Sequence, residues 1–352
     1  MTGTMISNLR LSGIIVGLLG LAATFLIYRG PKWKRANFVL LSLGSLSLVA
    51  ISIDPNLVNF ARDMLALQKA QHGRILALLI ISNVFLFFYS LSNRWKLETI
   101  RIQMDRLIRN LGATDFGKEH GLENKTKPIM VVIPAYNEAG NLRELLPRMP
   151  AQIQGANVGV LVVDDGSEDG TKQVALECGA MVVSNPINRG QGAASRLGYD
   201  ILQKYDVRAG VTMDADNQHR PEDLERVVAP ILNGNCDLVI GSRVLGSQEK
   251  ASRIRWLGVS ILSRVINLIT GLCITDCASG YKAFNMKKLR DLKLTEDQFQ
   301  SSEVLIEACK KGLTIGEVPI AIHARKHGKS KKGTDWSYGF YFAKTILKTW
   351  WR

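Results

Sequence analysis

Residues 128–138 read P-I-M-V-V-I-P-A-Y-N-E, a short apolar run that ends abruptly in polar residues. The same pattern returns at 159–167 (G-V-L-V-V-D-D-G-S) and at 210–219 (G-V-T-M-D-A-D-N-Q-H). Short apolar runs that alternate with helical stretches predict an α/β domain with a largely parallel sheet. The predicted strands are Ile129–Ile133, Gly159–Val163, Ala180–Val183, Gly210–Met213 and Asp237–Ile240, and the predicted helices are Asn141–Met149, Thr171–Glu177, Ala193–Lys204 and Pro221–Leu232.

Polar residues follow three of these strands at the point where each strand ends. In open α/β sheets, ligands bind beyond the carboxyl ends of the strands. A single acidic residue there is often only a helix cap or part of a solvated turn. Three such strand ends that open on the same edge make that interpretation less favourable, so the sequence predicts a binding site at this edge.

Asp214 and Asp216 stand on either side of one small residue. A bend after the strand can aim both carboxylates at one point, and Gln218 can add a neutral oxygen. Oxygen ligands of this kind favour Mg²⁺ or Mn²⁺, which commonly bridge to substrate phosphates. The expected partner is therefore a nucleotide diphosphate, whose base and ribose would be held at the earlier strand ends.

The chain of 352 residues has a net charge of +14, and this charge lies at its two ends. Residues 1–115 hold 13 Lys and Arg against 5 Asp and Glu, residues 318–352 hold 8 against 1, and the centre is nearly neutral. This distribution is typical of a soluble body held against an anionic membrane surface rather than of a nucleic-acid-binding domain. Five cysteines without a C-x-x-C pair predict reduced thiols in the cytosol.

Three uncharged runs, 11–28, 36–53 and 75–93, reach the length of about 18 residues that a membrane-spanning helix needs. A cleaved signal peptide or buried helices of a soluble protein are the alternatives. The signal peptide is disfavoured because only Arg10 precedes the run 11–28 and no clear A-x-A site follows it. Buried helices of a soluble protein are disfavoured because charges flank every run. The excess of Lys and Arg in the first loop and after Asn93 predicts that both lie in the cytosol and that the amino terminus lies outside.

The sequence therefore predicts a multi-pass membrane protein, in the cell membrane or in the endoplasmic reticulum of a eukaryote. The predicted parts are a membrane module at 1–112, a linker at 113–127, an α/β domain at 128–333, and a carboxyl-terminal interfacial helix, rich in aromatic and basic residues, at 334–352.

Five motifs carry a family resemblance: V-V-I-P-A-Y-N-E, V-V-D-D-G-S-E-D-G-T, M-D-A-D-N-Q-H-R-P-E, I-G-S-R and D-C-A-S-G-Y-K-A-F. Their order and approximate spacing resemble those of family 2 glycosyltransferases, and most of all those of the polyprenyl (dolichyl) phosphate sugar synthases. The resemblance covers Ile129 to Lys331 and implies a GT-A fold with a Rossmann-like sheet. More weakly, residues 1–112 resemble a small membrane module found beside or fused to such enzymes.

The resemblance also implies roles for individual residues. The nucleoside contacts would be made by Pro134, Ala135, Tyr136, Glu138 and Asp164. The metal and the donor would be bound by Asp214, Ala215, Asp216 and Gln218, and the donor phosphates by Arg325 and Lys331. The acceptor phosphate would be bound by Arg243 and Arg255, with Ser260 or Ser263. Of these, Asp214, Asp216 and Arg243 are the expected catalytic residues. Without the resemblance, the basic run 325–331 would be interpreted as a solvated or lipid-facing patch.

The implied reaction is transfer of a hexose from a nucleotide-diphosphate sugar to polyprenyl phosphate, either dolichyl or undecaprenyl. GDP-mannose, UDP-glucose and UDP-N-acetylglucosamine all remain possible donors. A lipid monophosphate is largely dianionic at neutral pH, with a second pKa of about 6, so it needs no general base. A single in-line displacement would invert the anomeric centre and give a β-linked product for glycan assembly. A homo-oligomer is possible.

Two segments favour a lipid acceptor. Arg253–Leu272 combines a broad apolar stripe with three arginines, a pattern typical of an interfacial helix or of an ordinary buried one. In the tail from Trp336 to Arg352, aromatic residues alternate with lysines as they do in interfacial anchors.

Two other functions stay open at this point. A processive polysaccharide synthase would use Thr295-Glu296-Asp297 as a T-E-D motif that carries a base, but Ser252 stands where a Q-x-x-R-W motif needs Gln. The T-E-D residues are better interpreted as a helix start. The alternative of another class is a non-catalytic membrane scaffold or a nucleotide-sugar sensor. His219 is expected to support its turn, and Cys273 and Cys277 to be packing residues.

Overall fold

The computed structural model describes residues 8–28, 35–68, 72–120, 126–249, 253–324 and 335–352. The chain divides into two compact units, Met1–Thr99 and Ile100–Arg352. The first unit contains α1 (Asn8–Tyr28), α2 (Arg35–Ile53), a 3-10 turn (Pro55–Val58), α3 (Asn59–Met64) and the first part of α4 (Gly73–His120).

The helices α1 and α2 approach each other closely at glycines. A Cβ atom on Gly17 would lie 2.5 Å from Val49 Cγ2 and 3.0 Å from the carbonyl oxygen of Ser45. A Cβ atom on Gly13 would lie 2.2 Å from Ser52 Oγ. Small residues at helix contacts are typical of helix pairs in membranes, where close approach maximises dispersion contacts.

All three predicted spans fall within helices, but their lengths differ. Among the described residues, one helix, Gly73–Lys118, is long and apolar enough to cross a membrane. A second span is obtained if Leu41–Ile53 and Pro55–Met64, which are bent by 115°, form one broken span. The apolar helix Arg10–Leu26 in α1 falls below the length criterion. The three-span arrangement therefore stays a prediction.

The second unit is built on one sheet of eight strands. Its strands are β1 (Ile129–Ala135), β2 (Gln152–Ile153), β3 (Ala156–Asp164), β4 (Met181–Ser184), β5 (Ala209–Thr212), β6 (Leu238–Gln248), β7 (Lys282–Asn285) and β8 (Ile315–Ile322). Its helices, besides the end of α4, are α5 (Ala139–Leu145), α6 (Thr171–Glu177), α7 (Gln191–Leu202), α8 (Leu224–Leu232), α9 (Arg253–Thr270), α10 (Met286–Leu289), α11 (Gln300–Lys310) and α12 (Asp335–Trp351).

The strand order is β3-β1-β5-β7-β6-β8, and both β2 and β4 pair with β3. The pairs β1–β3, β1–β5, β3–β4 and β6–β8 are parallel, whereas β7 runs antiparallel to both of its neighbours. The predicted class, an α/β domain with a largely parallel sheet, is confirmed. The five predicted strands and four predicted helices are present. Most ends shift by a few residues, but the strand predicted at Asp237–Ile240 continues to Gln248, and the segments Leu146–Arg148 and Pro221–Asp223 are 3-10 turns.

Helices cover both faces of the sheet, as a parallel sheet requires. Alternate residues of β1 point to opposite faces. Met130 and Val132 belong to a buried cluster with Leu197 of α7, and Val131 belongs to a second cluster with Leu142 of α5.

The prediction of a linker beginning at residue 113 is wrong for its first part, because α4 continues to His120. Ala113 and Phe116 are buried in the cluster that contains Leu197. The stretch looks polar in sequence because its other residues, such as Asp115 and Lys118, are solvent-exposed. The end of α4 is therefore part of the second unit.

Candidate active site

The carboxyl ends of β1, β3 and β5 meet at one edge of the sheet. Ala135 at the end of β1 lies in register with Asp164 at the end of β3, and β5 runs parallel on the other side of β1. The strand-end motifs predicted to share one edge therefore do so. Pro134, Ala135 and Asp164 are buried there, and Tyr136 is partly exposed.

The loops after β1 and β3 hold each other in place. Asn137, in the left-handed region at φ 53°, donates its backbone N–H to Ser167 Oγ at 2.9 Å. Its side-chain oxygen in turn accepts from the backbone N–H of Glu168 at 2.9 Å. Glu138 is buried, and its backbone N–H donates to Thr171 Oγ1 at 2.9 Å. The residues predicted to contact the nucleoside, at the ends of β1 and β3, therefore lie at two loops that are joined by hydrogen bonds.

The neighbouring carboxyl groups Asp164 and Asp165 differ in their surroundings. Asp164 accepts from the backbone N–H of Ser167 at 3.0 Å and from Ser184 Oγ at 3.2 Å. Asp165 accepts from Asn185 Nδ2 at 2.8 Å and from the backbone N–H groups of residues 189 and 190 at 3.1 and 2.7 Å. Burial raises the pKa of Asp165 although these hydrogen bonds oppose the shift. Asp165 therefore fixes the loop that follows β4.

The turn after β5 carries the two aspartates of the D-x-D motif. Asn217 occupies the left-handed region at φ 58°, and Asp216 Oδ1 accepts from the backbone N–H of Gln218 at 3.2 Å. The backbone N–H of Asp214 donates to His219 Nδ1 at 3.2 Å, and the His219 ring stacks on Tyr281 with 5.0 Å between centroids. His219 therefore supports the turn, as its sequence position indicates.

The oxygen ligands at this turn fit a divalent cation that also binds a phosphate. A Cβ atom on Gly280 would lie 2.6 Å from Asp214 Oδ1, so the space beside this carboxylate requires a glycine. Among the described residues no group of three or more His, Cys, Asp or Glu could hold a metal by itself. The protein would thus supply the carboxylates of Asp214 and Asp216 and the side-chain oxygen of Gln218, and the substrate or water would supply the remaining oxygens.

Two residues near Asp214 had no role in the sequence analysis. Gln191, the first residue of α7, donates its side-chain N–H to Asp214 Oδ1 at 2.6 Å. Lys282 is buried and donates to the carbonyl oxygen of Ser279. Burial lowers the pKa of Lys282 to about 8, although Asp214 and Asp276 favour its charged form. Lys282 is the first residue of β7 and belongs to the D-C-A-S-G-Y-K-A-F motif, and this membership is the sequence signal that could have identified it.

Arg243 is oriented by a buried carboxylate. Its Nε and one terminal nitrogen donate to Asp276 at 2.6 and 3.1 Å, a bidentate pair that fixes the plane of the guanidinium. The backbone N–H groups of Thr275 and Asp276 donate to Glu317 at 2.8 and 3.1 Å. Burial raises the pKa of Glu317. The two motifs I-G-S-R and D-C-A-S-G-Y-K are therefore one structural element.

The predicted acceptor residues on α9 are distinguishable in the structure. Ser263 is buried, donates to the carbonyl oxygen of Thr275 at 3.1 Å and accepts from the backbone N–H of Cys277 at 3.1 Å. Ser260 is only partly buried. The backbone of Arg255 lies in α9, and its side chain lies outside the described part of the structure. Of the two serines, Ser260 is thus the better candidate.

The helix α9 has one buried and one exposed apolar side. Ile266 is completely buried, whereas Trp256, Leu257 and Ile261 are about half exposed and Leu268 is 86% exposed. α12 has the same character, with Phe342 buried and Trp351 85% exposed. An ordinary buried helix does not explain these exposed side chains, which suit an interfacial helix.

Arg325 and Lys331 lie outside the described residues, but the segment that precedes them is held against the D-x-D turn. Gln218 donates its side-chain N–H to the carbonyl oxygen of His323 at 3.0 Å, and its backbone carbonyl oxygen accepts from the backbone N–H of His323 at 2.9 Å. Glu249 accepts from the backbone N–H of Ala324 at 3.1 Å. Gln218 therefore joins the turn to the segment that precedes the basic run in sequence.

The T-E-D residues do not start a helix, since α11 begins at Gln300. Asp297 instead accepts from Arg101 and Arg196. Glu296 Oε1 lies 2.7 Å from Lys348 Nζ. Both carboxylates are thus engaged in ion pairs with basic side chains of the protein, so the motif does not favour a processive synthase.

Comparison with known proteins agrees with this architecture. A family model described as glycosyl transferase family 2 matches residues 130–292. The UDP-N-acetylglucosamine–dolichyl-phosphate N-acetylglucosaminyltransferase of Methanococcus voltae is 30% identical over 61% of this chain and 92% of its own length. The polyprenol monophosphomannose synthase of Mycolicibacterium smegmatis is 32% identical over 61% of this chain and 84% of its own length.

A solved structure shows the same fold. Glucosyl-3-phosphoglycerate synthase from Mycobacterium tuberculosis, in complex with Mn²⁺, UDP and glucosyl-3-phosphoglycerate, superimposes with a TM-score of 0.52 and 23% identity over 63% of this chain and 79% of that chain. Because relatives at least 30% identical align over most of their own length, this chain belongs to glycosyl transferase family 2 and is a glycosyltransferase with a Rossmann-like GT-A domain.

Proposed function

We propose that this enzyme transfers a hexose from a nucleotide-diphosphate sugar to a polyprenyl phosphate at the cytosolic face of a membrane. The observation that carries the proposal is the D-x-D turn at the end of β5, bounded by Gly280 and joined through Gln218 to His323, which precedes the basic run in sequence. The names of the Methanococcus and Mycolicibacterium relatives support the choice of acceptor.

The donor lies along the carboxyl edge of the sheet in this proposal. The nucleoside is bound by Pro134, Ala135, Tyr136, Glu138 and Asp164. The diphosphate and its Mg²⁺ or Mn²⁺ are bound by Asp214, Ala215, Asp216 and Gln218. The cation would neutralise charge on the diphosphate. The Mn²⁺ and Mg²⁺ named for the solved glucosyl-3-phosphoglycerate synthase complexes support this choice of metal. Arg325 and Lys331 bind the donor phosphates.

The acceptor phosphate binds to Arg243, Arg255 and Ser260 in this proposal. Asp276 keeps the Arg243 guanidinium in one orientation, so little side-chain entropy is lost when the phosphate binds. The apolar side of α9 lies in the lipid interface and receives the polyprenyl chain, since an exposed apolar surface of this kind is stabilised by contact with acyl chains.

The acceptor itself is the nucleophile. A phosphate oxygen attacks the anomeric carbon while the bond from that carbon to the nucleotide diphosphate breaks, and the anomeric centre inverts. An α-linked donor therefore gives a β-linked product. No protein base is required, because the phosphate already carries two charges at neutral pH. The enzyme has to align two anions and lower their repulsion.

The test is transfer of radiolabelled sugar into organic-extractable lipid. The full-length protein is given GDP-mannose, UDP-glucose or UDP-N-acetylglucosamine with polyprenyl phosphate and Mg²⁺ or Mn²⁺. We expect a metal-dependent, acid-labile lipid product from one donor. Asp216→Asn should abolish it, and Asp206→Asn, which changes an exposed carboxylate of the same domain, should not.

Two outcomes would contradict the proposal. A long water-soluble polymer would favour a processive polysaccharide synthase. Nucleotide binding without transfer to any acceptor would favour a non-catalytic scaffold or sensor.

A further inference from the structure

We propose that Asp105 on α4 is a positioning residue for the donor site, which it controls through Arg189, Gln191 and Asp214. The inference rests on the proposed function, because the donor site is defined by that function. It extends the function of α4 beyond a membrane anchor, since Asp105 follows the predicted third span on the same helix.

Asp105 is the centre of an ion cluster between α4 and the β4–α7 region. Its carboxylate accepts from Arg109 Nε at 2.9 Å, from a terminal nitrogen of Arg196 at 3.1 Å and from Arg189. Arg189 and Arg196 have side chains only 11% and 3% exposed. Buried guanidinium groups depend on their carboxylate partners, because loss of a partner leaves a charge without water or a counter-ion.

The loop between β4 and α7 is short and held at several points. Asp165 fixes its backbone at residues 189 and 190, and the backbone N–H of Gly192 donates to the carbonyl oxygen of Asp297 at 2.8 Å. A Cβ atom on Gly192 would lie 2.3 Å from the carbonyl oxygen of Glu296, so the loop has no space to move in that direction. Arg189 is the residue through which α4 binds this loop.

Gln191 connects the loop to the metal-binding turn. It stands two positions after Arg189, and its side-chain N–H donates to Asp214 Oδ1 at 2.6 Å. Asp105 is therefore linked to Asp214 in three steps: its contact with Arg189, the backbone from Arg189 to Gln191, and the Gln191 hydrogen bond. Removal of the negative charge at Asp105 takes away the carboxylate to which Arg189 donates, whereas Arg196 keeps its pair with Asp297. We therefore expect Arg189 to move toward solvent and Gln191 to lose its fixed position.

The first test is hydrogen exchange of the full-length protein by mass spectrometry. Asp105→Asn should accelerate exchange of the backbone N–H groups of Arg189, Gly190 and Gly192. The matched control is Asp115→Asn, the same substitution on the same helix at an exposed residue that lies 3.8 Å from the exposed Lys118. The control should exchange like the wild type. Equal protection in all three proteins would overturn the inference.

The second test is affinity for UDP and for GDP in the presence of Mn²⁺, together with donor KM and kcat. Asp105→Asn should weaken nucleotide binding and raise the donor KM by roughly tenfold while kcat changes less. Asp105→Glu should restore most of the affinity. Faster exchange in the loop with unchanged nucleotide affinity would also overturn the inference. Wild-type protein that binds neither nucleotide would instead contradict the proposed function, and the exchange test would still decide whether Asp105 orders the loop.

A milder variant covers the case in which Asp105→Asn does not fold. Arg189→Gln leaves Asp105 paired with Arg109 and Arg196, so the cluster keeps most of its contacts. It should produce the same rise in donor KM, and an unchanged donor KM would overturn the inference. Where Asp105→Asn does fold, the double variant should be no worse than the single variants because both changes act on one path. Additive effects of the two substitutions would show that Asp105 acts by another route.

Discussion

Asp214 is the residue at which most of the site's contacts meet. Its backbone is held by His219, its Oδ1 accepts from Gln191, and Gly280 lies against its carboxylate. Contacts within the protein therefore set the direction of the carboxylate. Preorganised charge of this kind is effective in catalysis because it needs no rearrangement during the reaction.

Gly280→Ala should reduce transfer activity strongly. The new Cβ atom would lie 2.6 Å from Asp214 Oδ1, so the carboxylate or the backbone has to shift. A displacement of about 1 Å in a catalytic site can cost roughly a hundredfold in rate, and we expect kcat/KM to fall by between about tenfold and a hundredfold. The measurement is transfer activity at several Mn²⁺ concentrations. Gly339→Ala, where a Cβ atom meets nothing within 4 Å, is the control; equal activity of the two variants would contradict the expectation.

Cys273 and Cys277 should differ in their reactivity toward iodoacetamide. Both were expected to be packing residues, which holds for the buried Cys277 but is wrong for the exposed Cys273. Burial raises the pKa of Cys277 to about 11, so at pH 8 it is a protonated, inaccessible thiol. Mass spectrometry of the native protein after alkylation should therefore find Cys273 modified and Cys277 spared. Equal modification of both would show that the end of α9 and the following loop open in solution.

At the scale of elements, α9 combines a structural side with an exposed apolar side. Ser263 and Ile266 face the domain, whereas Leu257, Ile261 and Leu268 are exposed. Position along the helix alone does not show which side is covered, because the apolar stripe is broad. The tertiary structure makes this distinction.

Leu268→Glu should weaken the use of the lipid acceptor. Leu268 is 86% exposed on α9, and burial of a leucine side chain contributes about 1.5 to 3 kcal/mol, so loss of lipid contact should raise the polyprenyl phosphate KM by roughly tenfold or more. The measurements are vesicle flotation and acceptor KM. Leu176→Glu, the same change at an exposed leucine of α6, should leave both values unchanged. Unchanged acceptor KM in Leu268→Glu would argue against an interfacial α9.

Arg352 stabilises the contact of α12 with α11. Its guanidinium lies 3.2 Å from both Glu303 Oε1 and Glu307 Oε1, and Glu303 also accepts from the backbone N–H groups of Thr295 and Glu296. Arg352→Gln removes a cation from two buried carboxyl groups, of which, among the described residues, only Glu307 keeps a second one, Lys310 Nζ at 3.9 Å, so Tm should fall by roughly 3 to 8 °C. Thermal unfolding measured beside Lys344→Gln, an exposed position on α12, checks this; similar Tm values for both variants would contradict it.

At the scale of the whole molecule, the basic charge lies at the two ends of the chain and the α/β domain between them is nearly neutral. The basic ends of the chain are therefore the parts expected to bind an anionic membrane surface. The electrostatics of the candidate site depend on the charged side chains of the site itself. The number of spans decides on which side of the membrane each loop lies.

Cysteines introduced at Lys32 and Phe60 should distinguish three spans from one. With three spans, Lys32→Cys lies in the cytosol and Phe60→Cys lies outside, whereas a single span at 75–93 places both outside. We expect a membrane-impermeant maleimide to label Phe60→Cys in intact cells and Lys32→Cys only after permeabilisation. Labelling of both in intact cells would contradict the three-span prediction.

The amino-acid sequence determined the local features of this protein. The parallel strands, the polar strand ends and the turn at Asp214–Asp216 follow from patterns within about ten residues, because strand periodicity and turn chemistry are local properties. The shared edge followed from these patterns by a general rule of parallel sheets.

Only the tertiary structure decided which side chains distant in sequence form pairs. Arg243 pairs with Asp276 across 33 positions, Gln191 reaches Asp214 across 23, and Asp105 binds Arg189 across 84. The linker at 113 and the helix start at Thr295 were predicted wrongly for the same reason. Burial and charge pairing depend on which distant segments meet, and polar residues that form buried ion pairs look in sequence like residues of a solvated surface.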